Sequence, residues 1–245
     1  MQLIFLGTAG YHPNEQRHTS CLLLPEVGVL LDAGTGLFRL RGRLQTERLD
    51  IFLTHAHLDH IVGLTFLLGL QHHSPLTVTV HGDGDKLSAI QRHLFSEATF
   101  PVPLAGEFLP LSTPVPLAGG GRLSYFPLTH PGGSLGFRLD WPGHSLAYVT
   151  DTTASPNAEY VRHLRSVDLL VHECNFGDEH VEFARLTGHS HTTAVAEIAR
   201  EAQVGRLVLT HFDPSDERPD PIGLATARRI FPATELAHDL MQVNF

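Results

Sequence analysis

Residues 51–60 read IFLTHAHLDH, and this stretch restricts the fold more than any other in the chain. The run at 51–54 has strand length and is rich in apolar and β-branched residues, so it has to be buried. Behind it come three imidazoles and a carboxylate in six residues, and behind those the apolar run IVGLTFLLGL at 61–70. A core strand must therefore deliver H-x-H-x-D-H to an edge and turn at once into a buried helix. Side chains at i and i+2 of an extended backbone share a side, so His55 and His57 can reach one ion. Asp59 and His60 fall where the chain turns and can address a second ion a few ångströms away. Imidazole and carboxylate ligands without thiolate suit Zn²⁺ first, then Mn²⁺ or Fe²⁺. The alternative, a helix cap at Asp59 flanked by surface histidines, does not account for four ligand-type residues at this spacing.

The rest of the chain alternates in the same way. Strand-like runs lie at 3–6, 21–24, 29–32, 51–54, 77–80, 123–128, 135–139, 146–150, 169–172, 207–210 and 234–237, each punctuated by Gly, Pro or Asp. Helices are expected at 61–71, 85–95, 157–164, 192–202 and 222–230. Of these, 192–202 has the cleanest stripe, with Val195, Ile198, Ala199 and Ala202 at i, i+3, i+4 and i+7. Strands and helices mixed over the whole length, with no linker, imply one α/β domain over 1–245. The Pro- and Gly-rich stretch 101–121 reads as a loop, a rim or a lid. A faint echo links IFLTHAHLD with LVLTHFDPSD at 207–216, which suggests two halves whose strand-end histidines meet in one groove.

Three more strand ends carry ligand-type residues: His130 after SYFPLT, Asp151 after LAYVT and His211 after LVLT. A carboxylate can address two ions through its two oxygens, so Asp151 is the natural bridge. Taken singly, each of the three could equally be an ordinary turn residue.

Composition narrows the partners. The formal net charge is −9, and the 17 basic residues include a single lysine, Lys86. The cluster Arg39, Arg41 and Arg43 reads as a solvated helix face. A long polyanion would meet a mostly acidic molecule. Most of the 18 histidines carry no partner spacing, among them His72, His73, His93, His163 and His180. No apolar run approaches the ~20 residues of a membrane-spanning helix. The N-terminus lacks a basic leader and reads as a first strand, and Cys21 and Cys174 form no metal or disulfide framework, so a cytoplasmic location is expected. Symmetric homodimers are the common assembly of such chains, although no stretch marks an interface.

With THAHLDH, His130, Asp151 in TDT and the LTH ending at His211, the sequence resembles the metallo-β-lactamase-fold hydrolases from its first strand to its last. The resemblance implies an αββα four-layer sandwich of two related halves. It further implies that His55, His57 and His130 hold one metal, that Asp59, His60 and His211 hold another, and that Asp151 bridges them. Within that superfamily the chain is most similar to the ribonuclease Z-like phosphodiesterases, including the phosphoribosyl cyclic phosphodiesterases. DHIVGL resembles their Asp-His-x-x-Gly-Leu, VHECNF their His-Glu-Ala-Thr-Phe, and GHSH at 188–191 their His-Ser-Thr element. The last two imply Glu173 and His189 as catalytic residues beside Asp59. The sequence departs from the pattern at His191, where that branch has Thr, which leaves His191 as a rival to His189.

The members that process tRNA carry a long arm between the third histidine and the bridging aspartate. Here only 20 residues separate His130 from Asp151. That shortness and the negative charge favour a small, even cyclic, phosphodiester over folded RNA. The expected chemistry is hydrolysis by a hydroxide bridging two divalent ions, with His189, oriented by Glu173, stabilising charge or protonating the leaving alkoxide. Three alternatives share the fold: a thioester or lactone hydrolase of the glyoxalase II or lactonase type, a ribonuclease Z-like RNA endonuclease, and a mononuclear iron persulfide dioxygenase.

Overall fold

The computed structural model describes residues 1–72 and 76–245. Among these are fourteen strands: β1 Gln2–Gly7, β2 Cys21–Leu24, β3 Val29–Leu31, β4 Arg48–Phe52, β5 Thr77–Gly82, β6 Gly106–Pro110, β7 Val115–Leu117, β8 Gly121–Leu128, β9 Ser134–Trp141, β10 His144–Val149, β11 Leu169–Glu173, β12 Arg206–Thr210, β13 Thr234–Leu236 and β14 Gln242–Asn244. They build two seven-stranded sheets, ordered β14-β1-β2-β3-β4-β5-β6 and β13-β12-β11-β10-β9-β8-β7. Each sheet is half antiparallel and half parallel. The pairing changes at β3 in the first sheet and at β10 in the second.

The strands read as continuous apolar runs because both faces of the sheets are covered. In the first sheet Leu3, Phe5, Leu22, Leu24, Val29, Leu31 and Phe52 point inward to a core shared with Phe137, Leu139, Leu146, Tyr148 and Val171 of the second. Their neighbours Ile4, Leu6, Leu23, Leu30 and Ile51 point outward under Leu37, Ile61, Leu64, Leu67 and Leu87. The outer helices are α1 Leu58–Ile61, α2 Leu67–Gln71 and α3 Gly84–Ala89 on one side, with α4 Val181–Thr187, α5 Thr192–Glu201 and α6 Leu224–Ile230 on the other. This is the expected αββα sandwich. The stripe of α5 is buried as its spacing requires, Val195, Ile198 and Ala199 all being inaccessible. Among the described residues no helix is long and apolar enough to cross a membrane.

Several expectations need correction. The helix expected at 61–71 is broken into α1, a 3₁₀ turn at Val62–Phe66 and α2. Gly63 donates its N–H to Ala33 O at 2.8 Å, and a Cβ there would lie 2.2 Å from Gly34 O, so a close tertiary approach overrides the helical period. The segment 157–164 is a 3₁₀ helix, Glu159–Leu164, and 85–95 becomes α3 followed by a π turn, Ile90–Leu94. The stretch 101–121 is not a lid, because it supplies β6 and β7, an edge strand for each sheet, where Pro110 and Pro116 are tolerated. Arg39 is not on a solvated face: with its side chain 19% exposed, it donates to Leu6 O at 2.8 Å and pairs with Asp239 at 2.5 Å. The echo between 51–59 and 207–216 does not map onto equivalent strands, since β4 adjoins its sheet's switch strand and β12 is one further out. His73 lies outside the described residues.

Candidate metal centre

The chain leaves β4 at Phe52, and His57, with φ −68° and ψ 149°, immediately precedes α1. His55 and His57 project from the segment between β4 and α1, where the His57 backbone is still extended, and their rings meet at 4.4 Å. Asp59 and His60 sit in the first turn of α1. From the second sheet come His130 after β8, Asp151 two residues after β10, Glu173 at the end of β11, and His211 directly after β12. All seven expected ligands converge.

Asp151 lies at the middle of them, and its two oxygens face different partners. Oδ1 is 3.5 Å from His130 Nε2 and 3.9 Å from His55 Nε2, and Oδ2 is 3.1 Å from His60 Nε2 and 3.2 Å from His211 Nε2. His57 Nδ1 lies 3.4 Å from His130 Nε2, and Asp59 Oδ2 lies 3.2 Å from His60 Nε2. The ligand atoms of His55, His57, His130 and Asp151 fall within 4.8 Å of one another, as do those of Asp59, His60 and His211.

The opposite side of these rings is already engaged. His60 Nδ1 lies 2.9 Å from Asp32 Oδ2, His130 Nδ1 is 3.0 Å from Gly188 O, and His55 Nδ1 is 3.0 Å from Thr54 Oγ1, whose hydroxyl in turn meets Asp32. A ring that spends its Nδ1 proton on an oxygen presents the lone pair of Nε2 to the other side. The Nε2 of His60 thus confronts two carboxylates and, at 3.3 Å, the Nε2 of His211. Nε2 of His55 is buried without any hydrogen-bond partner. One proton on His60 could satisfy only one of its three neighbours. Burial opposes that proton, but the charges of Asp59, Asp151 and Asp32 raise the His60 pKa well above the ordinary value, and for His55 burial and the neighbouring His60 lower it well below. Imidazole nitrogens and carboxylate oxygens converging on Asp151 are the donor set that divalent cations require, so the residues present fit divalent metal binding.

Glu173 and His189 form a second element beside these groups. Glu173 is wholly buried and accepts hydrogen bonds from the backbone N–H groups of Thr152, Asn175 and Ser190 at 2.8, 3.2 and 3.1 Å. Its Oε1 also lies 3.1 Å from His189 Nδ1. Burial works against a charged His189, yet the charge and hydrogen bond of Glu173 lift its pKa to about 9. The His189 ring stands 5.2 Å from that of His130 and 5.4 Å from that of His211. His191 turns away to Asp178, at 2.7 Å, and is not brought into the cluster.

The sequence reading missed Asp32. It accepts from Thr54 N at 2.8 Å, from Tyr148 Oη at 3.0 Å and from Thr54 Oγ1, besides meeting His60. The signal was available, because Asp32 ends the apolar run at 29–32 just as other site residues end theirs. Asp32, Asp151 and His211 all have positive φ, at 58°, 53° and 60°, a conformation that costs non-glycine residues about 1–3 kcal/mol and gathers at functional sites.

Known proteins place this geometry. Residues 28–212 match the family model described as a β-lactamase superfamily domain. Ribonuclease Z of Bradyrhizobium diazoefficiens is 31% identical over an alignment that covers 97% of each chain. That alignment runs over 300 positions against 245 residues here, so the relative carries at least 55 positions that this chain lacks. Human tRNase Z, short form, superimposes with a TM-score of 0.78 at 25% identity over 100% of this chain and 99% of that one. A metallo-β-lactamase-fold protein from Bacillus subtilis superimposes with a TM-score of 0.82 at 21% identity, covering 99% of both. The chain belongs to the metallo-β-lactamase superfamily, as a hydrolase of its ribonuclease Z-like branch.

Proposed function

We propose that this hydrolase is a binuclear phosphodiesterase acting on small phosphodiesters, cyclic ones included, with zinc as its resident metal and residues 1–245 as one catalytic domain. The observation that carries the reading is the division of Asp151 between two ligand groups, Oδ1 toward His55 and His130 and Oδ2 toward His60 and His211. His55, His57 and His130 would hold one ion and Asp59, His60 and His211 the other. When bound, a pair of divalent ions supplies ionised water at neutral pH and positive charge against the phosphate oxygens. Asp59, taking a hydrogen bond from Tyr11 N at 2.9 Å, is oriented toward His60 and His211. His189, with its Nδ1 held by Glu173, offers its other nitrogen to the phosphate or to the departing alkoxide. The charge of Glu173 keeps that ring protonated, which is the form that donates.

Substrate size is read from what the chain lacks. Between His130 and Asp151 run only β9, a turn and β10, which pair with each other along their length. Together with the net charge of −9 this leaves little to grip a folded polyanion. The relatives' name, ribonuclease Z, favours a second reading, an RNA endonuclease. A panel on metal-analysed protein separates the readings: bis-nitrophenyl phosphate, 2′,3′- and 3′,5′-cyclic nucleotides, cyclic ribose phosphates, a thioester, a lactone and precursor tRNA. The expected result is close to two ions per chain and turnover of small diesters only. Trimming of precursor tRNA at comparable rates would replace this reading with the RNA one, and one iron with persulfide dioxygenase activity would end the binuclear reading.

A further inference from the structure

Tyr148 is the largest wholly buried side chain among the described residues. It stands in β10, three residues before Asp151, in the core that the two sheets share with Phe5, Phe52 and Phe137. Packing alone would be served as well by phenylalanine, which brings no polar atom to satisfy. The Tyr148 hydroxyl instead crosses from the second sheet to the first and donates to Asp32 Oδ2 at 3.0 Å. That same oxygen lies 2.9 Å from His60 Nδ1 and 3.0 Å from Thr54 Oγ1, and Thr54 Oγ1 lies 3.0 Å from His55 Nδ1. Asp32 therefore reaches one ligand of each proposed ion, His60 directly and His55 through Thr54.

The ligands themselves are divided between the sheets. His55, His57, Asp59 and His60 follow β4 of the first, whereas His130, Asp151 and His211 follow β8, β10 and β12 of the second. Apolar packing between sheets is non-directional, so it does not by itself fix how the two groups of ligands face each other. A hydrogen bond from the strand that carries Asp151 to the carboxylate that holds His60 does have direction. We infer that Tyr148 is a positioning residue of the metal centre: its hydroxyl fixes Asp32, and through Asp32 it sets His60 against Asp151. The inference rests on the metal-dependent reading and names a residue on which that metal affinity depends. Thr54 N holds Oδ1 of Asp32, and Tyr148 keeps Oδ2 from turning away from His60. With its Nδ1 proton so engaged, His60 keeps the lone pair of Nε2 on the side of Asp151.

The test is zinc transfer from the loaded protein to a competing chelator, with urea unfolding of the metal-free protein as the measure of packing. Tyr148→Phe keeps the ring and removes only the oxygen. It should hold zinc about 10-fold more weakly, the lower end of the about 10–100-fold carried by outer partners of metal ligands. Asp32→Asn supplies the second arm. Thr54 N still claims an oxygen there, so the amide nitrogen takes the place of Oδ2 and cannot accept from Tyr148. Adding Tyr148→Phe to Asp32→Asn should then weaken zinc by less than about twofold more, because residues that act through one another are not additive. Unchanged zinc affinity in Tyr148→Phe, with stability alone reduced, would make the hydroxyl structural only. A full further 10-fold loss in the Asp32→Asn background would show that it does not act through Asp32. Either result overturns the proposal. Zinc transfer needs no turnover, so a wild type that holds zinc but hydrolyses no small diester would refute the phosphodiesterase reading and leave the role of Tyr148 standing. A wild type that takes up no zinc would end both.

Discussion

Two aspartates stand at matching points of the two sheets, and they do different things. Asp32 follows β3 and Asp151 follows β10 by two residues, and β3 and β10 are the strands at which antiparallel pairing becomes parallel. Ligands of sheet proteins gather outside the carboxyl ends of strands at such switch points. The two carboxylates hold one histidine from both sides: Asp32 lies 2.9 Å from Nδ1 of His60, and Asp151 lies 3.1 Å from its Nε2. Asp32 is otherwise occupied by Thr54 and Tyr148. Asp151 takes one hydroxyl, from Thr150, and spends the rest of its surface on four imidazoles. A carboxylate saturated by its own protein is an anchor, and one left facing lone pairs invites a cation.

The comparison is broken most directly at Asp151. Asp151→Ala should lower metal content from about two per chain and reduce activity by more than about 10³-fold, because several kcal/mol of metal charge stabilisation go with it. Full metal content with normal activity would show that the two aspartates are both mere anchors. His189→Ala comes next. It should keep both ions and lose about 10²–10⁴-fold on nucleoside or alkyl diesters, and much less on bis-nitrophenyl phosphate, whose leaving group needs no proton. Equal losses on the two substrates would remove the general-acid role.

Asp32→Asn sharpens the comparison from the anchor side. The predicted loss is about 10–100-fold in metal affinity, together with about 1–3 kcal/mol of stability because hydrogen-bond partners inside the protein are left mispaired. Metal titration and urea unfolding read the two effects separately, and a variant whose metal content falls as far as that expected of Asp151→Ala would erase the distinction. Glu173→Gln should show the leaving-group selectivity of His189→Ala in milder form and move the basic limb of the pH–rate profile to lower pH, since the charge that holds the His189 pKa near 9 is gone. The stability linkage has the same sign. A pKa raised from 6.5 stabilises the fold fully below pH 6.5 and loses that contribution as pH climbs through about 9, so between those values wild type should lose more stability than His189→Ala. The smallest effect is expected at His191. Its pairing with Asp178 is part-exposed, so His191→Ala should cost less than about 1 kcal/mol in thermal unfolding and leave substrate selectivity unchanged. Leaving-group selectivity that follows His191 would displace His189 from its role.

His55, His57, Asp59 and His60 could be read from the sequence alone because local geometry relates them. A short loop and one helical turn keep them close to one another along the chain. His130, Asp151 and His211 were visible only as strand ends, since nothing local tells one strand end from another, and Glu173 only through the resemblance of VHECNF to a family element. The packing of two twisted sheets through one core brings those ends together. Asp32 went unread for that reason: its partners Thr54 and Tyr148 lie 22 and 116 residues away, and only tertiary structure makes them neighbours. The breaks in 61–71 were hidden too, because Gly63 meets the backbone of Gly34 across the fold. His189 and His191, two residues apart, carry equal chemistry in the sequence. Tertiary structure decides between them: α4 ends at Gly188 with φ 79°, its carbonyl meets His130, and the chain leaves with His189 on buried Glu173 and His191 on Asp178 at the start of α5. Residue types and spacings determined which groups could bind metal, but the direction each side chain faces is set by long-range packing.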